Sequence, residues 1–236
     1  MANFKTHLTF STLMGAGYGV SAHLLYEVPI PTCVLAGGLC SVSGMLPDVD
    51  SNAGRPLRES MAFAAAVVPM MMIDRFRQFG MSPESIVLAG AGIYLLIRFV
   101  IGALLRNYTV HRGMFHSIPA AIIAGEFAFL IASGEDVWIR GYKAGAVLLG
   151  YLSHLLLDEL YSIEWHRGRL RLKQSFGTAV KLFGSKWWPN ISTFAKLIVL
   201  TYLVFKEPGW MAQHYQDRIA PPIHETADKV IDRVVR

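Results

Sequence analysis

Seven apolar runs divide this chain, at residues 10–26, 30–46, 61–73, 86–105, 117–133, 143–157 and 191–205, and polar residues are confined almost entirely to the joints between them. None of the runs shows the strict alternation of a half-buried strand, so the pattern predicts helices. Gly-rich stretches such as GAGYG, LAGG and LAGAG suit close helix packing in lipid. Several runs fall short of the ~20 residues that cross hydrocarbon as a straight helix. The run 61–73 in particular is expected to be re-entrant or buried in the bundle. The expected fold is all-α: a polytopic helical membrane protein of about five to seven apolar helices, with a metal site at one membrane face. No repeat or low-complexity tract divides it, so residues 1–206 read as one helical membrane domain. Residues 207–236 read as a polar tail, with an AxxVIxxVV pattern that suggests a short amphipathic helix after Pro221 and Pro222.

Composition supports the membrane reading. The chain has 236 residues, of which 53% are hydrophobic and only 17% charged, and its mean hydropathy is +0.38, too apolar for an ordinary soluble domain. Cys33 and Cys40 share one run. At ~1.5 Å rise per residue their backbones stand ~10 Å apart, too far to bridge, so they read as small core residues. Lys5, the first apolar run and Val20-Ser21-Ala22 resemble a secretory leader. The run is broken, however, by His7, Gly15, Gly17 and Gly19, and an uncleaved first helix is the preferred reading. No interleaved basic and aromatic pattern makes nucleic acid the expected partner.

Charge sets the orientation. If all seven runs cross, the N-terminus, the 47–60 loop, the 106–116 loop and the 158–190 stretch share one side. That side carries Lys5, Arg55, Arg58, Arg106, Arg112, Arg167, Arg169, Arg171, Lys173, Lys181 and Lys186; the opposite loops carry Arg75, Arg77, Arg140 and Lys143. The positive-inside rule makes the richer side cytoplasmic. A single run failing to cross would split the two sides differently.

On that same side stand His7, Asp48 and Asp50 of LPDVD, His111 and His116 of HRGMFHS, and His154 with Asp158 of SHLLLD. Imidazole and carboxylate together are the ligand set of zinc and other first-row metals. His154 and Asp158, four apart in a helical run, stack on one face and can offer a nitrogen and an oxygen to one ion. A packed histidine and a helix-ending aspartate would give the same spacing. An acidic residue near a helix C-terminus opposes the macrodipole, so Asp158 calls for a compensating cation. His111 and His116 would diverge by ~140° on a continuous helix, and converge only across a turn, which Gly113 permits. Ser117 and Pro119 then read as the N-cap and first turn of the next helix. Asp48 and Asp50 would face the same way in extended backbone, although a DxD turn capping the next element is as good a reading. His23, His166, His214 and His224 have no partner pattern.

The segments THL, LPDVD, HRGMFHS and GYLSHLLLD, in this order, resemble the YdjM-type inner-membrane metal-dependent hydrolases over roughly residues 4–160. That family is similar, at a distance, to the all-helical zinc phospholipase C and P1-type nuclease group, whose sites use HxxxD or HxxxE helix pairs. The resemblance implies metal ligation by His7, Asp48, Asp50, His111, His116, His154 and Asp158. It names no substrate. The chain departs from the family pattern after Asp158. There the basic stretch from Trp165 to Trp188 is expected to be a solvated loop, a cationic segment on the membrane, or a short hairpin suggested by the alternation of RLRLK, with Trp187 and Trp188 at headgroup level.

The leading expectation is a phosphoester hydrolase of the bacterial inner membrane, acting on a lipid or nucleotide type substrate. Its cofactor would be a divalent metal, zinc foremost, with manganese or magnesium as alternatives. Asp48 or Asp50 would accept a proton, and Arg112 would steady phosphate charge. A metal-binding transporter or sensor is the rival. Its best support is Arg98 and Glu126 inside apolar runs, unless these two pair with each other. A scaffold with structural metal is the third reading.

Overall fold

The computed structural model describes residues 3–50, 54–108, 114–133, 136–166, 169–172, 177, 180–184 and 186–219. In it every apolar run is helical. The elements are α1 (Phe4–Tyr26), α2 (Ile30–Ser43), α3 (Arg55–Met71), α4 (Ile73–Gln78), α5 (Pro83–Leu95), α6 (Gly102–Tyr108), α7 (Ile118–Ile131), α8 (Val137–Leu160) and α9 (Trp187–Ile219). A five-residue 3-10 turn, Leu46–Asp50, follows α2, and a π-helical segment, Leu96–Ile101, joins α5 to α6. The only strands among the described residues are those of an antiparallel hairpin, β1 (Ile163–His166) and β2 (Arg169–Leu172).

Local chemistry explains where the helices begin. Asn3 accepts from Thr6 N at 2.9 Å ahead of α1. Ser82 and Ser117 cap α5 and α7, each with proline in the first turn, and Asp136 caps α8 by accepting from Trp138 N and Ile139 N. These side chains satisfy amide groups that have no partner within the helix. At the end of α1, Glu27 turns into the left-handed region at φ 54°, and His23 Nδ1 lies 2.9 Å from Val28 O, so this histidine serves the helix end.

Among the described residues, three helical stretches are long and apolar enough to cross a membrane: Arg55–Gln78, Pro83–Leu105 and Trp187–Glu207. The run 61–73 therefore belongs to a 24-residue stretch, not to a short buried segment. The sequence pattern undercounts it because its ends, Arg55 to Glu59 and Asp74 to Gln78, are polar. By contrast α2 and α7 have 14 residues each, short of a straight crossing. With the long α1 and α8 they form the centre of the bundle: α1 packs on α2 and α8, and α7 packs on α8 and α9.

Small residues let these helices touch. A methyl on Gly15 would come within 2.6 Å of Gly37 O, and one on Gly150 would overlap Cys40 O and Ser43 Oγ. Backbones at this distance gain dispersion contacts that larger side chains would prevent. Ala36, Cys40 and Ala146 fill the seam, and both cysteines are buried free thiols, as the sequence suggested.

The chain reverses at each connection, so the starts of α1, α3, α7 and α9 and the ends of α2, α6 and α8 meet at one end. At the other end Glu207 Oε1 accepts from Arg75 Nη2 at 2.7 Å and Glu207 Oε2 from Arg140 Nη2 at 2.6 Å. Arg140 is buried, also donates to Phe129 O at 3.2 Å, and stacks over the Phe129 ring. Helix α9 thus runs unbroken through the expected 206/207 boundary to Ile219. The amphipathic segment expected after Pro221 and Pro222 lies outside the described residues.

Glu126 does not pair with Arg98. It accepts from Thr201 Oγ1 at 2.5 Å, because α9 and not α5 covers that face of α7. Arg98 falls in the π-helical segment and has no ion pair among the described residues.

Candidate metal centre

Five of the seven expected ligands come together where the helices meet. His7 lies in the second turn of α1, Asp48 in the 3-10 turn after α2, His116 just ahead of α7, and His154 and Asp158 in the last turns of α8. The contacts form a chain. His7 Nε2 lies 3.2 Å from Asp158 Oδ1, and Asp158 Oδ2 lies 3.8 Å from His154 Nε2. His154 Nε2 lies 3.7 Å from Asp48 Oδ1, and the same oxygen lies 3.3 Å from His116 Nε2. The His7 and His154 rings stack with centroids 3.7 Å apart, and His116 meets His154 edge-on at 5.5 Å.

Each ligand has a local reason to be where it is. The i, i+4 spacing of His154 and Asp158 carries both to one face of α8. Pro47 and the bond from Asp48 N to Met45 O fold LPDVD into a tight turn that delivers Asp48. The extended backbone expected for Asp48 and Asp50 is therefore not observed, and alternation gives no reason to pair them. Asp50's side chain, His111 and Arg112 lie outside the described residues. His116 is held by three bonds around it: Ser117 Oγ donates to Met114 O at 2.5 Å, Tyr151 Oη donates to Phe115 O at 2.5 Å, and Ile118 N donates to Lys181 O at 3.0 Å.

The donor set fits a divalent cation. His154 Nδ1 lies 2.7 Å from Gly44 O. A carbonyl only accepts, so Nδ1 carries the proton and in the neutral ring Nε2 presents a lone pair. That lone pair faces two carboxylates, and Nε2 is buried without a hydrogen-bond partner among the described residues. Electron-rich atoms gathered out of water are stabilised by a positive charge among them. Their spacing agrees: donors bound to one ion at ~2.0–2.1 Å in a tetrahedron lie ~3.3 Å apart. Two triads meet the requirement, His7–His154–Asp158 and Asp48–His116–His154. Both use His154 Nε2, since Nδ1 is spent on Gly44. The triads are therefore flanks of one centre, and a second ion would have to do without His154.

Exposure is uneven. The side chains of His7, His116, His154 and Asp158 are at most 3% exposed, whereas Asp48 is 19% exposed. The centre is open to solvent on the Asp48 side. Burial by itself would raise the Asp48 carboxyl; the hydrogen-bonding contact with His116 and the electrostatic influence of the surrounding imidazoles outweigh it and hold Asp48 below the usual carboxylate value.

Sequence reasoning did not find Gly44, whose carbonyl orients His154, or Tyr151, which braces the His116 segment. Tyr151 stands three residues before His154 in α8, a position that could have singled it out; nothing in the sequence marks a carbonyl.

The bundle and its spans define a helical membrane protein with a buried His/Asp cluster at one end. The chain belongs to the YdjM inner membrane protein family, whose model matches residues 1–206. No curated protein and no solved structure matches the chain.

Proposed function

We propose that this protein is a membrane-bound metal-dependent hydrolase acting on phosphoester bonds, with its centre on the cytoplasmic face. The observation that carries the reading is the His154 Nε2 lone pair, fixed by Gly44 and facing Asp48 and Asp158 out of water. Mixed nitrogen and oxygen donors suit zinc, with manganese or magnesium as alternatives. His7, Asp48, His116, His154 and Asp158 would hold the ion.

A divalent ion here would acidify water towards pKa ~7 and polarise a phosphoryl oxygen. The protein's own groups supply the rest. Gly44 keeps His154 in one tautomer, as second-sphere bonds to metal-binding imidazoles do. Asp48 makes both of its histidine contacts through Oδ1, which leaves Oδ2 to take the proton as water attacks phosphorus and the P–O ester bond breaks. The leaving oxygen takes up a proton from solvent on the exposed Asp48 side. Arg112, four residues before His116, is assigned to the developing phosphate charge.

The cytoplasmic assignment rests on the excess of Lys and Arg in the connections at the ligand end. At the opposite end Arg75 and Arg140 are engaged by Glu207. Ligands at helix ends favour hydrolysis over transport, which is served by sites near the midplane. Glu126, the carboxylate that most favoured transport, is bonded to Thr201. The test is turnover by the protein reconstituted in lipid, with zinc or manganese, on phosphodiesters and phosphomonoesters. Turnover that requires both metal and His154 supports the reading, and no such turnover on either class overturns it.

A further inference from the structure

Beside the centre lies a cavity of about 250 Å³ between α3 and α6 on one wall and α7 and α9 on the other. Its lining includes chain neighbours of the ligands, though none of the ligands themselves. Leu46 and Val49 bracket Asp48 in sequence, Met114 and Phe115 immediately precede His116, and Tyr151 lies one turn from His154. Away from the centre the walls are apolar, with Ile123, Ala124 and Phe127 of α7.

One charged side chain enters this lining, Lys196 of α9. It is the only charged residue between Trp187 and Phe205, in a helix long and apolar enough to cross the membrane. It has no ion pair or hydrogen bond among the described residues, and an unpaired ammonium within a span is costly enough to demand a reason. The register of α9 gives its height. Helices α7 and α9 run in the same direction and are bonded from Thr201 to Glu126, so Lys196 stands level with Ala121. Ala121 packs with Tyr151 and Leu155, which bracket His154 in α8, so Lys196 stands at about the height of His154.

We propose that this cavity receives an acyl chain of an anionic phospholipid, with Lys196 countering its phosphate, so that the bond presented to the centre is a lipid phosphoester. The inference rests on the hydrolase reading for its chemistry and on the cavity and Lys196 for its substrate class. A soluble nucleotide would have no use for an apolar slot between membrane-crossing helices, whereas an acyl chain is already in the bilayer beside it. Lys196 can extend its apolar stem along the wall and turn its ammonium towards the headgroups.

The test separates binding from turnover. Protein in phosphatidylglycerol vesicles is labelled with phosphatidic acid bearing a photoreactive acyl chain, and the adducts are mapped by mass spectrometry. Adducts are expected on Ile123 and Phe127, lost in Ala124→Trp, which fills the cavity, and reduced about tenfold in Lys196→Gln. Lys196 is exposed and unpaired, so that variant keeps the fold. With diacylglycerol bearing the same photoreactive chain, Lys196→Gln should have no effect. Labelling spread evenly over the lipid-facing helices, or unchanged in both variants, overturns the acyl-chain assignment. In the turnover arm, Ala124→Trp should raise KM at least tenfold for a long-chain phosphatidic acid while sparing bis-p-nitrophenyl phosphate. Equal effects on both substrates overturn it too. Specific labelling without turnover of either substrate would overturn the hydrolase reading alone.

Discussion

The imidazole rings of His7 and His154 lie stacked, 3.7 Å apart and 13° from parallel, with the carboxylate of Asp158 reaching Nε2 of both. Two imidazoles sharing one buried carboxylate form a donor set suited to a metal ion. Replacing Asp158 by Asn keeps the shape and removes the charge. Asp158→Asn is expected to weaken zinc binding by at least ~10-fold, since even second-sphere partners of metal ligands are worth ~10–100-fold. Isothermal titration of the detergent-purified, metal-stripped protein measures it, and unchanged affinity would remove Asp158 from the centre.

Gly150 transmits packing to the centre. A methyl there would overlap Cys40 O and Ser43 Oγ and push α2 from α8, carrying with it Gly44, the residue that orients His154. Gly150→Ala is expected to cost ~1–3 kcal/mol of stability by overpacking and to lower metal affinity as well. Gly17→Ala and Gly141→Ala, which meet nothing within 4 Å, should do neither. Melting temperature and zinc titration on the same samples distinguish the sites.

Glu207 closes the opposite end. Because it answers two arginines while only 10% exposed, Glu207→Gln leaves Arg140 and Arg75 short of their counter-charge. Breaking a buried pair in this way costs ~3–5 kcal/mol, so the melting temperature should fall. Metal content should stay the same, as the pair lies at the far end from the ligands. Truncation after residue 206 should reproduce the loss of stability, and an unaffected truncation would contradict the latch.

Ser117 tests how firmly His116 is held. Its Oγ caps α7 through Ala120 N at 3.3 Å and donates to Met114 O. Ser117→Ala is expected to cost ~1 kcal/mol through the lost cap and to loosen His116, read as weaker zinc binding; Ser82→Ala, which caps α5 away from the centre, should lower stability alone.

The seven helical runs, the Ser117 and Pro119 helix start and the HxxxD pair were legible in the sequence, because each depends on local spacing or on a capping residue. The gathering of ligands was legible through the reversals of the chain, which bring alternate joints to one end. What the pattern missed depends on tertiary contact. Asp48 sits in a 3-10 turn because Pro47 and the backbone around Met45 fold it there, against the extended geometry that alternation would suggest. Glu126 bonds to Thr201 because α9, distant in sequence, covers its face of α7. Glu207 reads as the first residue of a polar tail, and only Arg75 of α4 and Arg140 of α8 make it part of the bundle.

The most direct test of the account is elemental analysis of the protein purified without chelator, beside His154→Ala prepared identically. Stoichiometric zinc or manganese is expected in the wild type, with a large loss of metal in His154→Ala and a rise in wild-type melting temperature on metal addition that the variant lacks. A wild-type protein that carries no metal and is not stabilised by zinc, manganese or magnesium would contradict it.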